Sequence, residues 1–274
     1  MSKSSRRRGT CAFCGQHGQL TREDFTPRWI GRFIADRWPP EGRAELVSIA
    51  FGGDQPYREK TRIVGNASAI KPLVVCARCN NEWMKRLEDA VIPILTPMML
   101  GQQLVLDEAA LAALGAWVTK TALVFELVQR DSDATASAAD RLWFKNHQVP
   151  LAGSRIWAAR YVGTFGKSWQ ARSTLFTYDL DDPTSVPSPH GLVAVLAYGE
   201  VAFRVAMVRS APALPTRFAV AESVNAPTIW PGTGPLSWPP AKALDDDGLI
   251  AFGGLHVPAT GPGVIDHIGP PPAR

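Results

Sequence analysis

The clearest periodic pattern of apolar and polar positions lies between residues 108 and 130. Side chains recur there at intervals of three and four residues, which is the spacing of one helix face. This face consists of Leu111, Leu114, Trp117, Val118, Thr121, Phe125 and Val128. Asp107 precedes the pattern and can cap the helix. Lys120 lies off the face, so we expect its ammonium group to be in solvent.

Two shorter segments also have helical periodicity. A helix is predicted from Thr26-Pro27 to about Trp38, because threonine caps helices and proline tolerates the first helical position. Its apolar stripe consists of Trp29, Ile30, Phe33 and Ile34. A further helix is predicted over residues 138–147, and it should end before Pro150.

Another helix is predicted directly after Cys79. Asn80 can cap it, and Trp83, Leu87 and Val91 recur at a spacing of four, which favours Trp83 and its neighbour Met84 as core side chains. Proline lacks the N–H group that a helix interior needs, so Pro93 and Pro97 are expected to break this helix.

The pattern changes to that of strands beyond residue 154. Runs rich in β-branched and aromatic residues, separated by glycine-containing turns, predict strands over residues 156–162, 169–178, 192–198 and 201–208. Tyr198-Gly199-Glu200 is a hairpin tip between the last two runs, so an antiparallel sheet is predicted. Shorter strands are predicted over residues 46–51 and 72–76, with a turn at residues 52–54.

These elements predict an α+β fold in four parts. We expect a disordered basic tail over residues 1–9, a cysteine-containing module over 10–100 and a helical segment over 101–150. Residues 151–274 are expected to form an antiparallel β-rich domain with a tail rich in proline and tryptophan, of which residues 258–274 are loose.

Composition is that of a globular protein. The 274 residues are 46% hydrophobic and 20% charged, which is enough to bury a full core. An uninterrupted apolar run of about 18 residues does not occur, so a membrane span is not expected. The basic start of the sequence has no apolar stretch behind it and is unlike a secretory signal. We therefore expect a cytoplasmic protein.

Positive charge is concentrated in the first third of the chain. Residues 1–90 hold 16 Lys or Arg against 10 Asp or Glu, although the whole chain carries only +4. Guanidinium groups pair well with phosphates, so this excess favours a nucleic-acid partner. A solvated basic tail with ordinary surface arginines is the alternative.

The four cysteines of the chain form two Cys-x-x-Cys pairs, Cys11 with Cys14 and Cys76 with Cys79. Two residues between thiols let one tight turn direct both sulfurs at one cation, so two such turns predict a tetrahedral structural zinc site. The alternative is four free or disulfide-bonded thiols in a core. The first pair is followed by a turn-rich run and the second by a helix, which is the plan of a treble-clef zinc finger.

Three motifs therefore follow one another in the first part of the chain. They are Cys11-x-x-Cys14-Gly15, the segment from Leu20 through Glu23 and Asp24 to Trp29, and Cys76-x-x-Cys79-Asn80-Asn81-x-Trp83-Met84. Together they resemble the zinc-containing HNH endonuclease superfamily. The nearest likeness is to bacterial HNH-like proteins whose first motif usually reads Thr-x-Glu-His and whose second reads Cys-Asn-x-x-Trp-Met. The resemblance covers about residues 10–100.

This resemblance implies a metal-dependent endonuclease that hydrolyses DNA phosphodiester bonds. By position, Glu23 and Asn80 match the ligands of a catalytic Mg²⁺ or Mn²⁺ ion, and Asp24 stands where the family usually has a histidine base. A carboxylate with a pKa of about 3.9 is a weaker base than an imidazole with a pKa of about 6.5, so Asp24 is expected to ligate the ion or orient water. Asn80 as a helix cap and Asp24 as a turn residue remain open, as does His17 as a substitute base or a solvent-facing turn residue.

Two functions from different classes follow. The first is the endonuclease, and the second is a catalytically degenerate zinc module that binds nucleic acid or a protein partner. Protein binding by the β-rich region is a third, weaker hypothesis. Phosphate contacts are expected from the basic residues of the module, namely Arg6, Arg7, Arg8, Arg22, Arg28, Arg32 and Lys85.

Overall fold

The computed structural model describes residues 7–24, 26–38, 45–51, 62–63, 71–128, 134–163, 168–177, 188–208 and 226–253. Helices and three β-sheets occur in these ranges, so the predicted mixture of helix and sheet is confirmed. The expectations for residues 1–6, which include Arg6, for the turn at 52–54 and for residues 258–274 lie outside the described residues. The division into domains stays a prediction.

Most helices agree with the periodic pattern. They are α1 (Arg28–Arg37), α2 (Ala77–Cys79), a π-helical turn (Asn80–Met84), α3 (Lys85–Met99), α4 (Glu108–Glu126), α5 (Ala138–His147) and α6 (Asp246–Phe252). The predicted cap of α4 is confirmed, because the Asp107 carboxylate accepts a hydrogen bond from the N–H of Ala110. Helix α2, the π-helical turn and α3 follow one another without a break.

Two predicted helix caps are wrong. Pro27 occupies the cap position of α1, and Thr26 is buried and does not cap it. Asn80 lies inside the continuous helical segment, whose first cap position is Cys76. In both places the chain enters the helix from an extended backbone. The cap of α1 is Pro27, one residue later than the predicted Thr26, and the cap of α2 is Cys76, four residues earlier than the predicted Asn80.

The predicted break at the prolines is also wrong. Helix α3 continues through Pro93 and Pro97 to Met99. Each proline lacks the N–H group that would bind the carbonyl group four residues earlier in the helix. Pro93 lies on the exposed side of α3, where water can donate a hydrogen bond to that carbonyl instead. The opposite side is buried at Leu87, Val91 and Leu95, and this packing holds the helix together.

Strands form three sheets. In chain order they are β1 (Arg8–Thr10), β2 (His17–Arg22), β3 (Glu45–Phe51), β4 (Arg62–Ile63), β5 (Leu73–Cys76), β6 (Leu104–Leu106), β7 (Arg155–Tyr161), β8 (Ser168–Thr177), β9 (Ser188–Tyr198), β10 (Val201–Val208), β11 (Thr228–Trp230), β12 (Leu236–Trp238) and β13 (Ala243–Leu244). The small sheet has the order β1-β2-β5, and β6 pairs with β12. The large sheet has the order β11-β7-β10-β9-β8-β3-β4, with β13 beside β7.

The predicted antiparallel pairing is confirmed in the centre of the large sheet. Strand β10 pairs antiparallel with β7 and β9, and β9 pairs antiparallel with β8. Gly199, at the hairpin tip between β9 and β10, has φ +59°, which suits glycine. At its edges the sheet departs from the prediction, since β3 runs parallel to β8 and β13 runs parallel to β7. Sequence patterns of short strands carry no information on such distant partners.

Helix α4 crosses one face of the large sheet. Its Trp117 ring packs edge to face against Tyr198 and Phe203. Nearly every residue from Leu114 to Glu126 is buried, so the helix is surrounded on all sides. By length and composition α4 could cross a membrane, but 72% of its apolar window is buried inside the protein, as in the core helix of a globular fold.

Two apolar clusters lie on the two faces of the sheet. The larger one joins the cysteine module, α3, α4, α5 and the sheet face that carries Phe203 and Val205. The smaller one lies on the opposite face, around Trp157, and includes Leu249 and Phe252 of α6. The cysteine module is therefore continuous with the main core.

Candidate metal centre and its surroundings

The four cysteine sulfurs converge on one point. All four Sγ atoms lie within 4.8 Å of one another, and those of Cys14 and Cys76 are 3.7 Å apart. Four thiolates around a tetrahedral Zn²⁺, each about 2.3 Å from the ion, are separated by about 3.8 Å. None of the four cysteines is in a disulfide. The geometry therefore fits a metal ion such as zinc and contradicts the alternative of disulfide bonds.

The first pair lies in the tight turn between β1 and β2. The N–H of Gly15 donates to the carbonyl of Cys11, and the N–H of Cys11 donates to the carbonyl of Gln16. Gly15 has φ +70°, a conformation that a residue with a side chain adopts only with strain. This closed turn directs both sulfurs of the pair to the same side.

The second pair lies where β5 enters the helical segment. Cys76 ends the strand, and Cys79 is in the first helical turn. Cys76 is opposite Leu20 in the register of β2 with β5, and the N–H of Ala12 donates to the carbonyl of Val74. These backbone hydrogen bonds bring the two pairs together across 61 intervening residues.

Hydrogen bonds and burial shift the pKa values of the cysteine thiols in different directions. The pKa of Cys11 is lowered to about 4, mainly by a hydrogen bond from the Cys79 thiol and further by backbone hydrogen bonds. The pKa of Cys79 is raised, because it is the donor to Cys11 and is also buried. Burial raises the pKa of Cys14 as well. Zn²⁺ binds cysteine as the thiolate, so an ion held by these four residues would keep all four sulfurs deprotonated.

Aromatic side chains cover the inner side of the cluster. Phe13 and Trp83 are buried, and their rings meet edge to face with centres 5.4 Å apart. Trp83 also contacts Phe144 of α5, with ring centres 5.9 Å apart. The prediction that Trp83 and Met84 are core residues is therefore confirmed.

Helix α5 is fixed to the first cysteine turn by a buried arginine. The Nε atom of Arg141 donates to the carbonyl of Ala12, over 3.0 Å, and its Nη1 atom donates to the carbonyl of Ala136. No motif in the sequence marks Arg141 for this role. Arg141 lies within the predicted helix over residues 138–147, at a buried position where an apolar side chain would be usual.

Glu23, the predicted ligand of a catalytic ion, is buried beside a lysine. Its Oε1 atom lies 3.1 Å from Nζ of Lys120, which also contacts Oε1 of Glu88 at 3.0 Å. The expectation that Lys120 is solvated is wrong, because its side chain is completely buried. Burial raises the pKa of Glu23, and the ammonium group opposes that rise. The two carboxylates raise the pKa of Lys120 against the effect of burial, so this lysine is charged.

Asp24 and Asn80 are also engaged within the protein. The Asp24 carboxylate forms ion pairs with Lys71 and with Arg28. Nδ2 of Asn80 donates to Thr21 Oγ1 and to the carbonyl of Arg22, each over 3.2 Å. Asn80 therefore connects the helical segment to the end of β2, next to Glu23.

The structure thus brings the elements that carry Glu23, Asp24 and Asn80 to one place, but their side chains face different partners. Among the described residues, the four cysteines form the one group of three or more Cys, His, Asp or Glu whose ligand atoms are close enough to share a metal ion. A catalytic Mg²⁺ or Mn²⁺ ion is not supported by this arrangement.

The predicted phosphate-binding residues lie on the surface. Arg7, Arg8, Arg22, Arg28, Arg32 and Lys85 are all exposed. Arg28 contacts Asp24, and Lys85 contacts Asp89, which raises the pKa of Lys85. His17 is exposed and begins β2, which agrees with a solvent-facing residue.

Comparisons of the chain with models of protein families, with curated proteins and with solved structures returned no match. The resemblance to HNH endonucleases therefore depends on the sequence motifs alone.

Proposed function

We propose that residues 10–100 contain a treble-clef module held together by one structural zinc ion bound to Cys11, Cys14, Cys76 and Cys79. The sulfur separations and the set of four thiols support zinc. The treble clef is supported by the positions of the two cysteine pairs. Cys11 and Cys14 lie in the turn of the β1–β2 hairpin, and Cys76 and Cys79 lie at the start of α2. Metal analysis of the purified protein should find one zinc per chain, and Cys79→Ser should lose it.

We further propose that this module binds nucleic acid and does not cut it. The buried Glu23–Lys120–Glu88 cluster carries this proposal, because an ammonium group already neutralises the carboxylate that an HNH enzyme would present to a divalent ion. Asp24 in place of the motif histidine supports the same conclusion. Its paired state with Lys71 and Arg28 leaves no free base at this position.

Exposed cations support nucleic acid as the partner. Arg8 and Arg22 lie on the adjacent antiparallel strands β1 and β2, and Arg8 is opposite Gln19 in their register. Arg32 lies on the next element along the chain. Such contacts to phosphates give affinity without reading sequence.

The test is binding of labelled duplex DNA and RNA at several salt concentrations. The double variant Arg8→Gln with Arg22→Gln should weaken binding and reduce the slope of log affinity against log salt by about 2 for duplex DNA. Arg160→Gln, a partly exposed arginine paired with Glu200 on the large sheet, is the control and should behave as wild type. No saturable binding of either nucleic acid at low salt, or a salt slope that the double variant leaves unchanged, would overturn the proposal.

The endonuclease is the second candidate. The observation that favours it is the position of Asn80, which donates to the backbone carbonyl of Arg22, next to Glu23, the other ion ligand that the resemblance implies. In this case Mg²⁺ or Mn²⁺ would have to displace Lys120 from Glu23. The endonuclease activity would be established if the wild type nicks plasmid DNA only with Mg²⁺ or Mn²⁺ and the double variant Glu23→Ala with Asn80→Ala does not nick it. Equal nicking by wild type and double variant would rule this site out.

A further inference from the structure

The four cysteines differ in their access to solvent. Cys11 and Cys79 are each 1% exposed, and buried aromatic rings pack on this inner side of the cluster. Cys14 and Cys76 are only half-buried. An oxidant must reach a sulfur in order to react with it, so the outer two cysteines should be oxidised before the inner two.

The chain around the outer two cysteines is open. Gly15, which follows Cys14, is exposed, and an added Cβ atom on it would meet no described atom within 4 Å. Ala77 and Arg78, which follow Cys76, are exposed as well. A molecule as small as hydrogen peroxide can therefore approach the cluster from this side.

The sulfurs of the outer two cysteines lie next to each other. The Sγ atoms of Cys14 and Cys76 are 3.7 Å apart, and a disulfide holds its two sulfurs about 2.0 Å apart. Proximity in sequence would instead favour a bond within one turn, between Cys11 and Cys14. Of the possible pairs, however, Cys14 with Cys76 is the one in which both cysteines are half-exposed.

We propose that Cys14 and Cys76 form an oxidative modification site, at which hydrogen peroxide joins the two sulfurs in a disulfide and releases the metal ion. The release rests on the zinc site proposed above, whereas the choice of sulfurs rests on their separation and exposure. The disulfide connects the two cysteine turns to each other and does not close either turn on itself.

The reaction is a two-electron oxidation. One thiolate attacks an oxygen of hydrogen peroxide, the O–O bond breaks and hydroxide leaves, which makes a sulfenic acid. The second thiolate attacks that sulfur, the S–O bond breaks and a second hydroxide leaves. The two sulfurs lose two electrons, and the peroxide takes them and two protons from solvent to become two molecules of water. Cys11 and Cys79 then remain as thiols, which is too few ligands for a structural zinc site.

Oxidation in this way should release the ion without separating the two turns. The disulfide would join the β1–β2 hairpin to the start of α2, which are the same two places that the ion joins. A covalent bond between segments 61 residues apart restricts the unfolded chain. The oxidised protein should therefore melt at a higher temperature than the reduced protein from which a chelator has removed the metal.

The test treats the full-length, zinc-loaded protein with a small excess of hydrogen peroxide. A chromogenic chelator should report zinc release. Free thiols are then alkylated, and mass spectrometry of a digest made without reductant should find Cys14 linked to Cys76, with Cys11 and Cys79 alkylated. Dithiothreitol with added Zn²⁺ should restore the original zinc content, because a disulfide is reversible and higher oxidation states of cysteine are not.

Two double variants compare the outer and inner sulfurs. Cys11→Ser with Cys79→Ser keeps the outer pair and should form the disulfide. Cys14→Ser with Cys76→Ser keeps the inner pair and should be oxidised at least about tenfold more slowly, because burial limits access to the sulfurs. If either double variant does not fold, the mapping in the wild type decides.

Three results would overturn the proposal. They are a disulfide that forms first within one Cys-x-x-Cys turn or between Cys11 and Cys79, a loss of zinc binding that dithiothreitol does not reverse, and an oxidised protein that melts no higher than the reduced, metal-free protein. Failure of the zinc site itself is seen separately, as isolated protein that contains no zinc before any peroxide is added. The same mapping on that metal-free protein still tests which sulfurs join.

Discussion

At the scale of single residues, Lys120 has the most unusual environment. It is a charged side chain without solvent exposure, and two carboxylates compensate its charge. A buried ion pair adds little net stability compared with apolar residues of similar volume, because both charges lose their hydration. Removing one partner is different, since it leaves the other charge buried and unpaired.

Lys120→Met should therefore lower the free energy of unfolding by about 3–5 kcal/mol, because Glu23 stays buried without a cation. Urea unfolding measures this loss. Adding Glu23→Gln to Lys120→Met should restore part of it, since the amide carries no charge. Lys85→Met is the control, because Lys85 is exposed and pairs with the exposed Asp89, and it should leave stability unchanged.

The loss in Lys120→Met should also depend on pH. The pKa of Glu23 is already raised by burial in the wild type, and losing the ammonium group raises it further. A carboxyl group with a raised pKa contributes stability at low pH and loses it as the pH rises through its folded-state pKa. The difference between wild type and variant should therefore be large at pH 7 and shrink towards pH 4.5. A difference that is constant with pH would contradict this account.

At the scale of elements, α5 connects the helical layer to the first cysteine turn. Its start is fixed by a reciprocal pair of hydrogen bonds: the Ser137 hydroxyl accepts from the N–H of Asp140, and the Asp140 carboxylate accepts from the N–H of Ser137. Arg141 follows directly, and it donates to the carbonyl of Ala12. The cap therefore positions the residue that holds the turn.

Ser137→Ala should cost about 1 kcal/mol of unfolding free energy, because the first turn of α5 loses a hydrogen-bond acceptor. Chemical denaturation measures this change. Ser237→Ala is the matched control, since Ser237 is exposed on the short strand β12, and it should change stability by less than about 0.5 kcal/mol. Equal effects of the two substitutions would show that the cap is not important for stability.

At the scale of the whole molecule, one apolar cluster runs from the cysteine module through the helices to the large sheet. Phe13 and Trp83 belong to it at one end, and Phe203 and Val205 at the other. Loss of order at the metal centre should therefore reach the sheet, because a continuous core unfolds cooperatively.

Zinc release and loss of tertiary structure should consequently occur at the same denaturant concentration. A chromogenic chelator reports zinc release. Near-ultraviolet circular dichroism reports the loss of tertiary structure, because it includes the buried Trp117 between α4 and the large sheet. Phe13→Leu, which changes packing next to the cysteines, should shift both midpoints together. Zinc release well before the loss of the dichroism signal would indicate that the module unfolds alone.

Local signals in the sequence determined several features without reference to the fold. Two Cys-x-x-Cys pairs identified the four-cysteine cluster that could hold a metal ion, because ligand spacing in a tight turn is a local property. Apolar periodicity identified α4 and α5, and β-branched runs identified β7 to β10, because each depends on neighbours in the sequence.

Tertiary structure alone decided the features that depend on distant residues. Lys120 was expected in solvent, yet Glu23 and Glu88 meet it in the core from 97 and 32 residues away. Pro93 and Pro97 were expected to end a helix that core packing maintains. The parallel pairing of β3 with β8 joins segments more than a hundred residues apart. Burial, charge compensation and strand partners are set by what the folded chain brings together, and a local pattern does not contain that information.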